Sequence, residues 1–162
     1  MDNKQVEQIY AGYAVLESDF LRPLCIRIGR RLETVLETGW QPRLATNPFI
    51  EWDRRTLNTL ADHAANVTLD QGRDWLVQDT FELQNLCSQQ VNARLCVDGA
   101  KRGDLSSAAG VTLLLYKPNG DRVLALRAGR LLGNLKSALD AELMALEFGL
   151  ELFSKIVCMK AQ

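Results

Sequence analysis

The sequence predicts an α/β domain, a sheet flanked by helices. Three observations carry this. Residues 93–133 read as strands broken by one tight turn, a strongly amphipathic helix follows them, and the N-terminal part is patterned as capped helices. With 162 residues, 47% of them hydrophobic, the chain is long enough to bury a core as one domain.

DNKQVEQIYAGY (residues 2–13) opens on Asp2 with Gln5 at the capping-box spacing, and Gly12 ends that helix. A second helix is expected over Ser18–Glu37, with Pro23 in its first turn and Gly39 after it. Pro42 and Pro48 bracket a loop, and Phe49–Trp52 suits a short strand. Thr56–Leu69 is an Ala-rich helix closed by Gln71-Gly72. Residues 71–92 read as a connector in which Asp74 caps a polar helix, its apolar positions suiting light docking more than a core. ARLCVDGA (93–100) is a strand, residues 108–132 form a hairpin turning at Lys117–Asp121, and Ser137–Phe153 is a strong helix. KIVCMKAQ (155–162) is expected as another strand.

The formal net charge of -1 gives no global basic field, so any contact with a polyanion must come from a local patch. Cys25, Cys87, Cys96 and Cys158 make no C-x-x-C pair and the chain has a single histidine, which argues against a zinc site. Cys96 and Cys158 lie in apolar runs and read as buried thiols of a reducing, intracellular compartment. No apolar run reaches about 18 residues, and MDNKQ is no signal peptide.

The carboxylates are where chemistry would reside. On the helix SALDAELMALEFGLELF, Leu139, Leu143, Leu146, Leu150 and Phe153 form an apolar stripe, and Asp140, Glu147 and Glu151 a charged one. Glu142 lies opposite the charged stripe, on a face shared with the small residues Ala138, Ala145 and Gly149, which let a sheet approach closely. A carboxylate half-buried there is either paired, metal-bound or snorkelling to water. Asp98 precedes Gly99, which fits a simple turn or a carboxylate placed where a strand ends. Asp2 reads equally as a helix N-cap. Asp62 sits with Asn58 and Asn66 on what looks like a solvated face, and the adjacent His63 reads as a surface histidine.

Together these segments resemble the ribonuclease H family, closest to the type 1 domains that accompany reverse transcriptases in retroelements. LCVDGAKRGDLSSAAGVTLLLYKPNGDRV looks like that fold's opening hairpin, and KSALDAELMALEFGLEL like its first helix, with a glutamate in an S-A-x-x-A-E-L-x-A-L pattern. WDRRTLNTLADHAAN looks like its last helix, through R-x-x-N-x-x-A-D-x-x-A-N. The segment between, a strand ending in aspartate and then a helix, is split between KIVCMKAQ and MDNKQVEQIYAGY. The order is therefore circularly permuted: residues 1–70 match the family's C-terminal half and 93–162 its N-terminal half. The chain departs from the family in lacking a histidine in NPFIEWDRR, and in having Ala138 and Leu139 where an asparagine pair often stands.

The resemblance implies a mixed sheet flanked by helices and hydrolysis of the RNA strand of RNA–DNA hybrids with two Mg²⁺ (or Mn²⁺) ions. Asp98 would bridge both ions, Glu142 and Asp2 would each flank one, and Asp62 would complete the second. Lys101, Arg102, Gly103, Ser137, Arg55 and Asn58 would contact the nucleic acid. The strand Ile156–Ala161 is expected beside Leu95–Gly99, with Met1 close to Gln162. The α-amino group of Met1 would then weaken metal binding at Asp2. The rival expectations are an inactive nucleic-acid-binding or interaction module derived from a retroelement, working as a half-swapped homodimer or beside a reverse-transcriptase domain, and a transposase- or integrase-like nuclease.

Overall fold

In a computed structural model, residues 21–40, 58–84, 86, 91–103 and 106–158 are described. The elements in chain order are α1 (Leu21–Glu37), α2 (Thr59–Gln71), β1 (Trp75–Gln78), α3 (Thr80–Gln84), β2 (Asn92–Arg102), β3 (Ser106–Tyr116), β4 (Arg122–Gly133) and α4 (Ala138–Cys158). The strands form one sheet in the order β1-β4-β3-β2, and every pairing is antiparallel. The α/β class therefore holds, but the described strands include none of the parallel pairings that a mixed sheet requires.

The β2–β3–β4 meander follows the expected hairpin. Its turn closes through Lys117 N–H to the Asp121 carbonyl and Gly120 N–H to the Lys117 carbonyl, with Gly120 at φ +90°. One sheet face carries α4, with α1 docked outside it. Val97, Val111, Leu113 and Leu126 pack there with Leu143, Leu146, Leu150 and Phe153, and Leu24, Ile28 and Val35 extend the core into α1. Arg27 and Arg31 reach Glu147 across the helix pair at 2.8 and 3.8 Å, and Trp40 stacks edge-on against Phe153. The other face carries α2, whose Ala61, Ala64, Ala65 and Thr68 are buried against the sheet.

The α2 contact explains two glycines. Gly110 and Gly129 are cross-strand partners. A Cβ on Gly110 would lie 2.1 Å from the Ala61 carbonyl oxygen, and one on Gly129 would lie 1.7 Å from Thr68 Oγ1. Small residues on both sides thus bring helix and sheet backbones together. Trp75 Nε1 donates to Thr68 Oγ1 at 2.8 Å and stitches β1 to the same helix.

Two expected elements are corrected. The segment KIVCMKAQ is not a strand as far as it is described, because α4 runs through to Cys158. Nothing in ELFSKIVC breaks a helix. Ser154 bonds the Leu150 carbonyl, Lys155 pairs with Glu151 one turn back, and Val157 extends the buried stripe. The stretch read as a connector with a polar helix is instead strand β1, followed by the short helix α3. Asp74 does not cap a helix; its Oδ1 accepts the N–H of Leu131 at 2.8 Å. The cap is Asp79, whose Oδ1 accepts Glu82 N–H. The expected helix at residues 2–13, the Phe49–Trp52 strand and the approach of Met1 to Gln162 fall outside the described residues.

Candidate functional site

Asp98 lies within β2, not at its end as expected. The strand runs four residues further, and Asp98 pairs in register with Gly110. The side-chain directions follow from two glycines. A Cβ on Gly99 would meet the α4 backbone at Ala141, 2.4 Å away, so Gly99 faces α4 and its neighbour Asp98 faces the opposite side. Gly110, the partner of Asp98, points at α2. Asp98 is therefore enclosed beneath α2, with 3% of its surface exposed.

Glu142 approaches the same point of β2 from the other face. It is 5% exposed, and its Oε1 accepts the Gly99 N–H at 3.1 Å. This bond also fixes the strand's polarity. If Gly99 N–H is turned out of the ladder toward Glu142, the Val97 carbonyl, two residues back, is turned out as well. Asn58, at the start of α2, fills that position: its Nδ2 donates to the Val97 carbonyl at 2.8 Å. The two outward backbone groups flanking Asp98 are thus held by side chains from helices on opposite faces of the sheet. The small-residue face expected around Glu142 is buried at Ala145 and Gly149, but not at Ala138, which is exposed at the start of α4. Ala145 is buried, and Gly149 lies against Val97 so tightly that a Cβ would come within 2.5 Å of Val97 Cγ1.

The stripe Asn58, Asp62, Asn66 and Asp70 is not simply a solvated face. Asn58 holds Val97, while Asn66 Oδ1 and Asp70 Oδ1 accept from Arg102 at 3.0 and 2.5 Å. Helix α2 therefore runs alongside β2 from Val97 to Arg102. Four helical residues rise about 6 Å, close to two residues of strand, so Asp62 comes level with Asp98 and Gly99. Asp62 is half-buried, and Asn66 Nδ2 donates to its backbone carbonyl at 2.9 Å and to its Oδ1 at 3.4 Å. Three of the expected carboxylates thus share one level of the sheet. Among the described residues, however, no three His, Cys, Asp or Glu side chains form a group able to hold one ion.

The expected nucleic-acid contacts divide. Asn58 is 2% exposed and is a buried strut, not a surface contact, because α2 packs its N-terminus against β2. Arg102 is exposed but tied to α2. Lys101 Nζ bonds the carbonyl of Gly103, which turns the chain at φ +57°. Ser137 is exposed and its Oγ accepts Asp140 N–H at 3.2 Å, capping α4. Asp140, expected on the charged stripe of this helix, is buried. Asp2 and Arg55 lie outside the described residues.

Sequence reasoning missed one surface feature. Leu60, His63, Val67, Arg73, Trp75 and Arg127 line a groove of about 340 Å³ between α2 and β1. The signal was present in Asp79-Thr80-Phe81-Glu82, a capping-box pattern that starts a helix at Thr80 and leaves WLVQ free to be a strand. Among the described residues no helix is long and apolar enough to cross a membrane. Comparison with protein-family models, curated proteins and solved structures gives no match.

Proposed function

We propose that this domain is a metal-dependent nuclease of the ribonuclease H type that hydrolyses the RNA strand of RNA–DNA hybrids, in circularly permuted order. The observation that carries the reading is the pair Asp98 and Glu142. They are buried, come from a strand and a helix, and bracket one edge of the sheet at adjacent positions.

The donor chemistry fits a hard divalent cation. Both groups are carboxylates, and Asn58 Oδ1, one turn before Asp62, is buried with no hydrogen-bond partner among the described residues. Mg²⁺ is commonly held by one or two carboxylates, with water and substrate phosphate completing its shell, so a three-carboxylate cage is not required. Asp98 and Glu142 would hold the cation, with Asp62 and Asp2 as further ligands. When bound, the cation supplies charge neutralisation and an acidified water. Glu142 is oriented by the Gly99 N–H, and Asp98 by the clamped peptides on either side of it. Lys101, Ser137 and Arg55 would face substrate phosphates and ribose.

A second reading, an interaction module without activity, is favoured by one observation: Arg102 and Glu142 already have partners inside the fold. The two readings separate in one experiment. The nuclease reading expects Mg²⁺- or Mn²⁺-dependent cleavage of a labelled hybrid, abolished by chelation and by Asp98→Asn with the fold retained by circular dichroism. Cleavage that survives Asp98→Asn, or a well-folded protein with no cleavage in either metal, rejects it.

A further inference from the structure

Among the described residues, strand β1 is an unpaired edge of the sheet. Asp79 N–H bonds the Ala125 carbonyl, so the odd-numbered residues of β1 turn their backbone groups toward β4. Leu76 and Gln78 turn theirs outward, where no described residue pairs with them. Natural edges are commonly blunted by lysine, proline or a bulge. The WLVQ edge has none of these, and Leu76 and Val77 are each 50% exposed, with Phe81 at 67% just beyond. Leu60 of α2 is exposed on the adjoining surface.

Asp74 and Asp79 flank this edge, each bonded to a backbone N–H, whereas the charged side chains lining the adjoining groove are cationic. Trp75, Val77 and Arg127 share the sheet face that carries α2, and with His63 and Arg73 they line the groove. No acidic residue lines it. Among the described residues neither Arg73 nor Arg127 has a carboxylate partner, and Arg73 makes only a 3.4 Å contact with Gln71. Asp79, in the neighbouring concavity, is occupied in capping α3.

We infer that β1 and the α2–β1 groove form a docking surface for an extended acidic peptide of another protein, which adds to the sheet as a strand outside β1. The exposed backbone groups of Leu76 and Gln78 supply the ladder, which a nucleic acid cannot use. Alternate residues of the added strand fall on opposite faces. On one face acidic side chains meet Arg73 and Arg127; on the other, apolar ones cover Leu76. Pairing with a second copy of this chain is disfavoured, because it would bring Arg73 and Arg127 of both copies, which lack carboxylate partners among the described residues, onto a joint sheet.

The test uses the full chain, isotopically labelled, and a blocked hexapeptide of alternating glutamate and valine. Expected are saturable amide shifts across Trp75–Gln78, slowed exchange of the Leu76 and Gln78 amides, and weakening with salt. Arg127→Glu should weaken binding at least about fivefold, since it turns an attractive exposed pair into a repulsive one, and should create binding for the lysine–valine counterpart. Equal binding of the lysine peptide by the wild type, or no shifts in β1, overturns the proposal. Stronger binding of a single-stranded oligonucleotide at the same residues overturns it in favour of nucleic acid. Concentration-dependent dimerisation abolished by Leu76→Lys overturns it in favour of self-pairing.

Discussion

Gly110→Ala tests the seating of α2 on the sheet. The new Cβ would stand 2.1 Å from the Ala61 carbonyl oxygen and 2.4 Å from the Ala65 nitrogen, both backbone atoms that no rotamer change can move. Restoring a 3.0 Å separation requires α2 to retreat by about 0.9 Å. Overpacking of this kind costs about 1–3 kcal/mol. The same retreat stretches the 2.8 Å Asn58–Val97 bond beyond hydrogen-bonding range, worth about 1 kcal/mol more. A total of about 2–4 kcal/mol corresponds, for a chain of this size, to a fall in Tm of roughly 5–15 °C. Chemical denaturation with matched m-values is the assay. Gly29→Ala in α1 is the control: its Cβ would meet nothing within 4 Å, and the change should stabilise by about 0.5–1 kcal/mol. A Gly110→Ala protein within about 0.5 kcal/mol of wild type, the size of an ordinary surface substitution, would refute the close helix–sheet contact.

Three further outcomes are expected. Asn58→Ala should cost about 1–3 kcal/mol in denaturant unfolding, because it strips the partner from a Val97 carbonyl beneath α2; a change below about 0.5 kcal/mol would mean that water replaces the amide. Burial alone would raise the Glu151 pKa, but hydrogen bonds from Lys155 and Arg130 and their charges outweigh it and hold the carboxyl below its ordinary 4.5. Its contribution to stability is thus present above about 4.5 and lost as pH falls through the lower folded value, so Glu151→Gln should flatten the acid limb of a stability–pH curve; an unchanged limb would count against these contacts. Trp75→Phe should cost about 1 kcal/mol in thermal unfolding by removing the bond to Thr68 Oγ1, and a neutral result would show that β1 is held by its ladder alone.

Legibility differed by region for physical reasons. The β2–β4 meander and α4 were readable because period-2 and period-3.6 patterns are strong there and Lys117–Asp121 is unambiguous turn chemistry. The helix boundary at Gly72 was readable for the same kind of reason: it sits at φ +65° and its N–H caps onto the Thr68 carbonyl. β1 was not, since an edge strand exposed on both faces has no alternation to read, and WLVQDTFELQ also fits a helix. The end of α4 was misread because Ile156, Val157 and Cys158 favour strands in isolation, while the Val157 contact with the core decides otherwise. Of the site, Glu142 was legible from the small residues around it. The burial of Asp98 was not, because Asp-Gly reads as a turn. Only the docking of Ala141 over Gly99 shows why glycine is there.

The two sides of the sheet differ in what they bury, and this bears on how the chain folds and opens. The meander and α4 meet through Leu143, Leu146, Leu150 and Phe153, so their contacts remove much apolar surface from water. Helix α2 joins through alanines, which remove little. It is therefore the unit expected to assemble late in folding and to detach first in native-state hydrogen exchange, below the global unfolding free energy. Detachment uncovers Asp98, the residue that α2 encloses, so the energy of this one seam sets how often solvent reaches that carboxylate.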